Sequence, residues 1–553
     1  MAITMSIDLA SLNGSNGFRL DGVAVRDYSG ESVSNAGDVN GDGFDDVIVG
    51  ALGADPNGDY SGSSYVVFGK ASGFDAAINL SGLDGSNGFR LDGAVAQDFS
   101  GGSVSNAGDV NGDGFDDVIV GARGADYSTG SSYVVFGKAS GFDAAINLSG
   151  LDGSNGFRLD GENGLSGSSV SNAGDVNGDG FDDVIVGAPF AGFNKVFPPG
   201  SSYVVFGKAS GFSATIDLSS LDGSNGFRLD GERKHDQSGA SISGAGDVNG
   251  DGFDDLIVGV IGEYFGFNYS NDYYSRYSHV VFGKASGFSA TMQLSSLDGS
   301  NGFRLDGLAE LDQSGVSVSG AGDVNGDGLS DVIIGIQGEN TSYVVFGKAS
   351  GFSAIMELFS LDGSNGFRLD GVSGSLGSSV SNAGDVNGDG YDDLIVGAHD
   401  AYPNGSSSGS SYVVFGKASG FSAILDLSRL DGSKGFRLDG NATNDFSGAS
   451  VSNAGDVNGD GFDDLIVGAS GADPNGYSSG SSYIIFGRSD FGRVVGSPGA
   501  AVTYELANLD GSNGFRLDGE ALDSSGSSVS TAGDINGDGF DDVIIGASFA
   551  DPN

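Results

Sequence analysis

The chain has 553 residues, a net charge of −50 and no cysteine. Its 74 acidic against 24 basic residues argue against nucleic acid as a partner, because phosphate backbones are bound through basic side chains. The lack of cysteine excludes disulfides and cysteine-based zinc sites, and no apolar stretch reaches the ~18 residues of a membrane helix, so we expect no direct membrane insertion. A content of 38% hydrophobic and 10% aromatic residues argues against disorder.

The first repeat shows short segments in a fixed order. Gly-Phe-Arg-Leu-Asp-Gly comes first, followed by Ser-Val-Ser-Asn-Ala-Gly, an Asp-rich loop, Asp-Val-Ile-Val-Gly-Ala and Ser-Tyr-Val-Val-Phe-Gly-Lys. These segments are short, rich in β-branched or aromatic residues and bounded by Gly, Ser, Asn or Asp, which predicts strands. Val47-Ile48-Val49 is an unbroken apolar run, as expected of a strand buried on both faces.

The same order recurs eight times, with repeat starts 64 to 79 residues apart. Four strands per repeat at a period near 70 predict an all-β propeller with one four-stranded sheet per blade. We therefore predict one β-propeller domain over residues 1–553, with seven or eight blades. The predicted repeat units are residues 12–82, 83–150, 151–220, 221–296, 297–360, 361–429, 430–508 and 509–553.

The last repeat lacks one predicted strand. It contains the Asp-rich loop and Val543-Ile544-Ile545, but not the Tyr-Val-Val-Phe segment. We interpret the sequence as a fragment, or as a ring completed by something downstream. The Phe18-Arg19-Leu20 strand is expected to serve as the outer strand of the final blade.

The Asp-rich loops (the Asp loops below) follow the pattern Asp-x-Asn-x-Asp-Gly-x-x-Asp in all eight repeats. Oxygen donors at positions 1, 3, 5 and 9, with a backbone carbonyl at position 7, are what a hard cation such as Ca²⁺ requires. The glycine at position 6 allows the sharp turn. We predict up to eight Ca²⁺ ions, bound in the ~10⁻⁴–10⁻³ M range of extracellular modules. The predicted ligands are Asp38, Asn40, Asp42, Phe44 and Asp46; Asp109, Asn111, Asp113, Phe115 and Asp117; Asp175, Asn177, Asp179, Phe181 and Asp183; Asp247, Asn249, Asp251, Phe253 and Asp255; Asp323, Asn325, Asp327, Leu329 and Asp331; Asp385, Asn387, Asp389, Tyr391 and Asp393; Asp456, Asn458, Asp460, Phe462 and Asp464; and Asp534, Asn536, Asp538, Phe540 and Asp542.

The loop pattern also resembles two other structures, an EF-hand and a polar hairpin turn. An EF-hand requires a bidentate Glu at position 12, where every copy here has Val or Ile, so that interpretation fails. Polar hairpin turns also favour Asn-Gly and Asp-Gly pairs. The eightfold repetition favours metal binding over simple turns.

The ordered motifs Ser-Gly-x-Ser-Val-Ser, Asp-x-Asn-x-Asp-Gly-x-x-Asp, Ile-Val-Gly-Ala and Tyr-Val-Val-Phe-Gly resemble the FG-GAP repeat over essentially the whole chain. That repeat forms the seven-bladed N-terminal propeller of integrin α subunits and of many bacterial and cyanobacterial surface proteins. The resemblance implies that the Asp loop joins the first two strands of a blade and binds Ca²⁺. The sequence departs from the family in having eight repeats, a loop in every repeat, and a complete Gly-Ala-Pro signature only at Gly187-Ala188-Pro189.

Residues outside the Asp loops are expected to serve either the framework of the blades or the recognition of a partner. The repeated Arg and Lys residues are expected to be framework residues, with Arg19 and its equivalents pairing with the Asp of Leu-Asp-Gly.

The fourth repeat carries a Tyr-rich insertion, Glu263 to His279, and a turn Glu232-Arg233-Lys234-His235. Both fall on the face opposite the Asp loops, because successive connections alternate between the ends of a blade. They form either a recognition patch or a long loop packed on its own blade. The third repeat has a smaller variant, Phe190 to Pro199.

These observations favour a non-enzymatic, calcium-binding extracellular or cell-surface adhesion module. Its predicted partner is a protein or glycan bound on the face opposite the Asp loops. Catalysis requires one asymmetric site, and no such constellation stands out from the eightfold background. An accessory propeller of a larger secreted, phospholipase-like hydrolase and a lectin-like glycan-binding propeller are the alternatives. The N-terminus shows no conventional signal peptide.

Overall fold

The fold is a ring of radial blades built from short strands. The computed structural model describes residues 5–162, 164–192, 198–234, 236–261, 277–307, 313–337, 340–371, 374–491 and 502–550. Eight innermost strands contact one another around a closed ring, and each begins a sheet that runs outward. Seven of these blades are complete, with five strands each.

The strands are named here by their position in a blade, from the first strand at the centre to the fifth at the rim. The first strands are Ser29–Gly37, Ser100–Gly108, Ser169–Gly174, Ser238–Gly246, Gln313–Gly322, Val380–Gly384, Ser450–Gly455 and Ser528–Gly533. The second strands are Asp46–Ala51, Asp117–Ala122, Asp183–Ala188, Asp255–Val260, Asp331–Gln337, Asp393–Ala398, Asp464–Ala469 and Asp542–Gly546. The third strands are Ser63–Val67, Ser131–Val135, Ser201–Val205, Tyr277–Val281, Thr341–Val345, Ser410–Val414 and Ser481–Ile485. The fourth strands are Arg19–Asp21, Gly88–Asp92, Gly156–Asp160, Gly226–Asp230, Gly302–Asp306, Gly366–Asp370, Gly435–Asp439 and Gly514–Asp518. The fifth strands are Ser6–Asp8, Ala77–Asn79, Ala145–Asn147, Thr215–Asp217, Thr291–Gln293, Ile355–Glu357, Ile424–Asp426 and Thr503–Glu505.

Helical structure in the described residues is limited to short turns. The 3₁₀ helices each follow a fifth strand and are Leu9–Ser11, Leu80–Gly82, Leu148–Gly150, Leu218–Ser220, Leu294–Ser296, Leu358–Ser360, Leu427–Arg429 and Leu506–Asn508. One α-helical turn covers Ala125–Ser128. Within the described ranges, no helix has the length and apolar character needed to cross a lipid bilayer.

Strand pairing ties each repeat to the next. In the first blade, Ile48 of the second strand pairs with Val66 of the third, and Val66 pairs with Phe89 of the fourth, all antiparallel. The fourth and fifth strands come from the following repeat, and the fifth pairs parallel to the fourth. The seventh blade takes its fifth strand from the N-terminus, since Ser6–Asp8 pairs with the strand Gly514–Asp518. The ring is therefore closed by noncovalent strand pairing.

Between the seventh and first blades lies an eighth, incomplete sheet, here called the closing sector. Its first and second strands, Ser528–Gly533 and Asp542–Gly546, pair with each other. Its outer part is the fourth strand Arg19–Asp21 paired with the fifth strand Ala77–Asn79. No third strand joins these two parts in the described residues.

The hydrophobic core lies between neighbouring blades. Ile48 packs with Val120 and Tyr133 of the second blade, whereas Val47 and Val49 face the closing sector. Because alternate residues of each second strand face different neighbours, the three residues that follow its opening aspartate, such as Val47-Ile48-Val49, are all apolar. This confirms the prediction of a strand buried on both faces.

The predicted all-β propeller with four antiparallel strands per blade is confirmed, and seven blades are complete. The short fifth strand was not predicted. It has only three residues, most of them exposed or half-buried, so it shows neither the length nor the alternation by which a strand is identified.

Candidate metal centre

Each Asp loop is a tight turn organised by its own carboxylates. In the first loop, the two carboxylate oxygens of Asp38 accept hydrogen bonds from the backbone N–H groups of Asp42 (3.0 Å) and Gly43 (2.9 Å). Asp42 in turn accepts one from the N–H of Phe44 at 3.1 Å. Gly43 has φ of +88°, which explains why position 6 is glycine in every copy.

The position-9 aspartates lie at the start of each second strand; seven of the eight are buried, and Asp542 is half-buried. Asp46 is fully buried, and its carboxylate accepts hydrogen bonds from the N–H groups of Gly69 (2.8 Å) and Val39 (3.0 Å). Burial is the main cause that raises the pKa of Asp46 to about 8; the bond from Gly69 opposes the shift, and the charges of Asp38 and Asp42 add to it. Burial likewise raises the pKa of each equivalent aspartate, namely Asp117, Asp183, Asp255, Asp331, Asp393, Asp464 and Asp542.

The position-3 asparagines lie beside these buried carboxylates. In the sixth loop the side-chain amide of Asn387 donates to Asp393 at 3.1 Å, and weaker contacts of this kind recur in most of the other loops. Positions 1, 3, 5 and 9 of a loop are thus gathered into one turn, with a buried carboxylate at its base.

The donor chemistry of the loops fits a hard cation. Each carboxylate has lone pairs beyond those used by backbone N–H groups. A cation would offset the repulsion from Asp38 and Asp42 that adds to the effect of burial in raising the pKa of Asp46. As placed, however, the carboxylates bind backbone amides. No group of three or more Asp, Glu or His side chains in the described part of the chain is arranged to hold a metal ion. Calcium binding by these loops stays a prediction.

Position 8 of the Asp loops links neighbouring blades, a role that sequence analysis missed. The Asp182 carboxylate accepts a hydrogen bond from the N–H of Asp109 in the preceding loop at 2.8 Å, and the N–H of Asp182 donates to the Asp109 carbonyl at 3.3 Å. The carboxylate bond recurs at 2.6–3.0 Å at six further junctions. At the junction to the fifth loop, Ser330 replaces the aspartate. The sequence signal for this role was the recurrence of Asp at position 8 in seven of the eight loops.

Position 7 adds a second contact between loops. The ring of Phe181 lies over Gly112 of the preceding loop, where a Cβ on that glycine would come within 2.1 Å of the ring. The same arrangement places Phe44 of the first loop over Gly537 of the last. The eight predicted cation loops therefore form one continuous belt on one face of the ring.

The framework role predicted for the repeated Arg and Lys residues is confirmed. Arg90 pairs with Asp92 of its own Leu-Asp-Gly segment at 2.5 Å, and equivalent pairs occur in the other fourth strands. Lys138 places its amine 4.7 Å from the ring centre of Phe142, a cation–π contact that also recurs.

The predicted insertion of the fourth repeat, Glu263 to His279, extends too far, because its last three residues belong to a strand. Tyr277, Ser278 and His279 are buried in the third strand Tyr277–Val281 instead of lying in the insertion. His279 lies 3.4 Å from Glu232, which also binds Arg304 at 2.9 Å, so the turn before the first strand is anchored to the blade. The strand starts earlier than the motif suggested because Tyr277-Ser278-His279 replaces the usual Ser-Ser-Tyr. Residues 262–276, His235 and residues 193–197 lie outside the described residues.

Comparison with known proteins agrees with this architecture. The FG-GAP repeat model matches residues 29–67, 100–135, 166–205, 238–275, 314–353, 376–414, 447–485 and 525–553. Integrin alpha pat-2 of Caenorhabditis elegans is 32% identical over 252 residues, which are 42% of this chain and 18% of that protein. Integrin alpha-PS5 of Drosophila melanogaster is 35% identical over 163 residues (28% of this chain, 14% of that protein), and integrin alpha-V of Gallus gallus is 30% identical over 243 residues (42% and 20%).

The chain thus spans a fifth or less of the length of these relatives. Each of the eight matched segments contains an Asp loop, and each begins at or near a first strand of the ring. The chain belongs to the FG-GAP repeat family, and its structure is an integrin α-like propeller.

Proposed function

We propose that this chain is a calcium-binding, non-enzymatic interaction module that acts outside the cell or at its surface. The observation that carries the proposal is the belt of eight acidic loops, in which the position-9 carboxylate is fully buried in seven loops and half-buried at Asp542. Burial is the main cause that raises the pKa of this carboxylate, and two neighbouring carboxylates add to the shift. Similarity to integrin α subunits supports an adhesion role and a cell-surface location.

Calcium is proposed to act on stability. Without a counter-ion, the carboxylates at positions 1 and 5 of each loop repel each other and the carboxylate at position 9, on a chain whose net charge is −50. A bound divalent cation would neutralise this repulsion and fix the turn between the first and second strands. Since adjacent loops are joined through positions 7 and 8, an ion in one loop would also support its neighbours.

The partner surface is proposed to lie on the opposite face. Connections between second and third strands reach that face, and four of them present an exposed tyrosine: Tyr60, Tyr127, Tyr402 and Tyr477. Tyrosine is among the residues that dominate protein interfaces. A rigid ring that displays these variable loops suits recognition of a protein ligand or a glycan.

His399 lies beside a serine and an aspartate, the residue types of a Ser-His-Asp triad. Its Nδ1 lies 2.9 Å from the Ser378 hydroxyl, and its Nε2 lies 3.4 Å from Asp400. Asp400 also accepts hydrogen bonds from Ser375 and Ser407, which tie two loops together. In a Ser-His-Asp triad the carboxylate orients the histidine ring. Because the Asp400 carboxylate is shared among residues of two loops, we assign it to holding those loops together, not to a triad.

The calcium proposal is tested by thermal melting of the metal-stripped chain in EDTA, Mg²⁺ and Ca²⁺. We expect a large rise in melting temperature with Ca²⁺ and a smaller rise with Mg²⁺, which demands a smaller octahedral site. The double variant Asp109→Asn/Asp113→Asn should lose part of the rise, whereas Asp143→Asn, at an exposed position outside the loops, should not. Equal melting in all three solutions would refute calcium binding.

The interaction proposal needs a separate assay. The immobilised chain is screened in Ca²⁺ against a panel of extracellular-matrix proteins and a glycan array. Any partner found is then tested with Tyr127→Ser and Tyr477→Ser, which change only exposed side chains. Loss of binding supports the proposed face, while unchanged binding places the partner elsewhere.

A further inference from the structure

Asparagine precedes glycine at positions 3 and 4 of all eight Asp loops. These Asn-Gly pairs, called loop pairs here, are Asn40-Gly41, Asn111-Gly112, Asn177-Gly178, Asn249-Gly250, Asn325-Gly326, Asn387-Gly388, Asn458-Gly459 and Asn536-Gly537. Six other Asn-Gly pairs, called strand pairs, have their glycine as the first residue of a fourth strand: Asn87-Gly88, Asn155-Gly156, Asn225-Gly226, Asn301-Gly302, Asn365-Gly366 and Asn513-Gly514. The chain thus holds the same dipeptide in two different settings.

The Asn-Gly dipeptide can modify itself without an enzyme. The backbone nitrogen of the glycine attacks the side-chain carbonyl carbon of the asparagine, and glycine hinders this approach least because it has no Cβ. The reaction requires a backbone that can bring the two atoms together and a side chain that is free to turn. The folded environment therefore decides which of the pairs react.

The strand pairs are held on both sides of the reacting bond. Each of their glycines is buried, and Gly88 pairs with Val67 in the antiparallel ladder. Each of their asparagines accepts a hydrogen bond at its side-chain oxygen. Asn87 accepts it from the N–H of Asp84 at 3.0 Å, and the bond recurs in the other five pairs at 2.9–3.0 Å. Closing a ring at a strand pair therefore requires these contacts to open first.

The loop pairs are restrained less. All eight of their glycines are exposed, although the position-7 side chain of the next loop lies over each of them. In seven loops the asparagine amide donates to the position-9 carboxylate, at 2.9–3.5 Å. In four loops the glycine N–H also donates to the position-1 carboxylate at 2.6–2.7 Å, as Gly178 does to Asp175. The hydrogen bonds of the first loop, within the described part of the chain, include neither contact, so Asn40 and Gly41 are the least restrained loop pair.

We propose that the loop pairs are sites of spontaneous deamidation, and that Asn40 reacts first. The nitrogen of Gly41 forms a bond to the side-chain carbonyl carbon of Asn40, while the bond from that carbon to the amide nitrogen breaks. The proton of the Gly41 N–H passes through solvent to the leaving nitrogen, which departs as ammonia and leaves a succinimide ring. Water then opens the ring at either carbonyl and gives aspartate or isoaspartate. No oxidant, reductant or cofactor takes part.

Both products change the belt of Asp loops. Aspartate at position 3 adds a negative charge to a turn that already holds carboxylates at positions 1, 5 and 9. Isoaspartate adds a methylene group to the main chain before Gly41, which displaces the N–H of Asp42 from the Asp38 carboxylate, 3.0 Å away in the unmodified loop. We therefore expect a converted chain to melt at a lower temperature in EDTA than a fresh one, and equal melting would contradict this effect on the belt. Only an effect on calcium affinity would rest on the proposed function.

The test follows the full chain in EDTA at mildly alkaline pH, so that its result does not depend on calcium. Proteolytic peptides are analysed by mass spectrometry, with fragment spectra that locate each replacement of an amide NH₂ by OH. We expect the loop pairs to convert at least roughly tenfold faster than the strand pairs, because hydrogen bonds worth about 1.4 kcal/mol in total correspond to that factor. Asn40 should convert before Asn177, whose pair carries both restraining bonds. In urea, where these contacts are lost, the two sets should convert at similar rates.

The matched variant Asn40→Gln keeps the amide but requires a larger ring, so residue 40 should not convert while the other loop pairs convert as before. The proposal fails if the strand pairs convert as fast as the loop pairs in the folded chain, or if the loop pairs stay intact while the chain in urea converts. Conversion of Asn177 before Asn40 would overturn the order assigned to the loops. A cooperative melt before incubation ensures that the wild-type chain is folded, and the wild-type comparison decides the outcome even if the variant folds poorly.

Discussion

The link between loops through position 8 can be tested one hydrogen bond at a time. Asp182→Ser removes the carboxylate that binds the N–H of Asp109, and serine is the residue found naturally at position 330. A hydrogen bond to a charged group contributes about 1.5–3 kcal/mol. Its loss corresponds to roughly 10- to 150-fold faster local exchange of that amide. Asp182→Asn retains an acceptor oxygen and should have a smaller effect.

The assay is hydrogen exchange by mass spectrometry in Ca²⁺, resolved to peptides that cover residues 108–112. Asp175, whose N–H is bound by Asp254, provides an internal reference that should not change. The wild-type chain supplies a second comparison, because Asp247 faces Ser330 and should already exchange faster than Asp109. If the amides of Asp109 and Asp247 exchange alike in the wild type, and Asp182→Ser has no effect, the position-8 carboxylates do not link the blades.

Two further predictions concern single contacts, both measured by urea unfolding in Ca²⁺. Gly112→Ala should destabilise the protein by about 2–5 kcal/mol, because the alanine must adopt a positive φ and its methyl group meets the Phe181 ring. Gly114→Ala should cost only about 1–2 kcal/mol, because Gly114 has a similar φ but open space around it. Equal losses in the two variants would contradict the contact between neighbouring loops. Glu232→Gln should cost roughly 1.5–3 kcal/mol because it removes the negative charge from the part-buried bonds to His279 and Arg304. Glu162→Gln, at the equivalent but more exposed position, should cost less than about 1 kcal/mol. Burial tends to raise the pKa of Glu232, but its bonds to His279 and Arg304 hold that pKa below its usual value. The contribution of Glu232 to stability is therefore fully present above the unfolded pKa of about 4.3, and it should fade as the pH drops through the lower pKa of the folded state. A Glu232→Gln effect that persists undiminished at pH 3 would contradict this assignment.

The repeated segments made most of the fold predictable from sequence. Three second-strand residues, Val47-Ile48-Val49, already indicated burial on both faces, since a strand with one solvated face alternates. The fifth strand was not predictable, because Ala145-Ile146-Asn147 is too short to show a pattern and is held by parallel pairing to a strand far away in sequence.

The sequence predicted which residues make up the candidate site but not how neighbouring loops contact one another. The Asp-loop pattern identified oxygen donors such as Asp38 and Asp46, because those residue types at that spacing suit a cation. It did not show that Asp45 reaches the loop of the last repeat, since that contact joins residues 489 positions apart. The sequence predicts Tyr277, Ser278 and His279 as part of the insertion because the strand motif is altered there. Their pairing with the fourth strand Gly302–Asp306 shows that they are strand residues.

The central claim is that the eight Asp loops are calcium sites. The most direct test is isothermal titration of Ca²⁺ into the EDTA-stripped, full-length chain. The account predicts a stoichiometry near eight ions per chain, with half-saturation at about 0.1–1 mM. No saturable binding up to ~10 mM, well above the range of extracellular calcium modules, would show that the loops are hairpin turns without metal, and the proposed calcium-dependent role would fall with them.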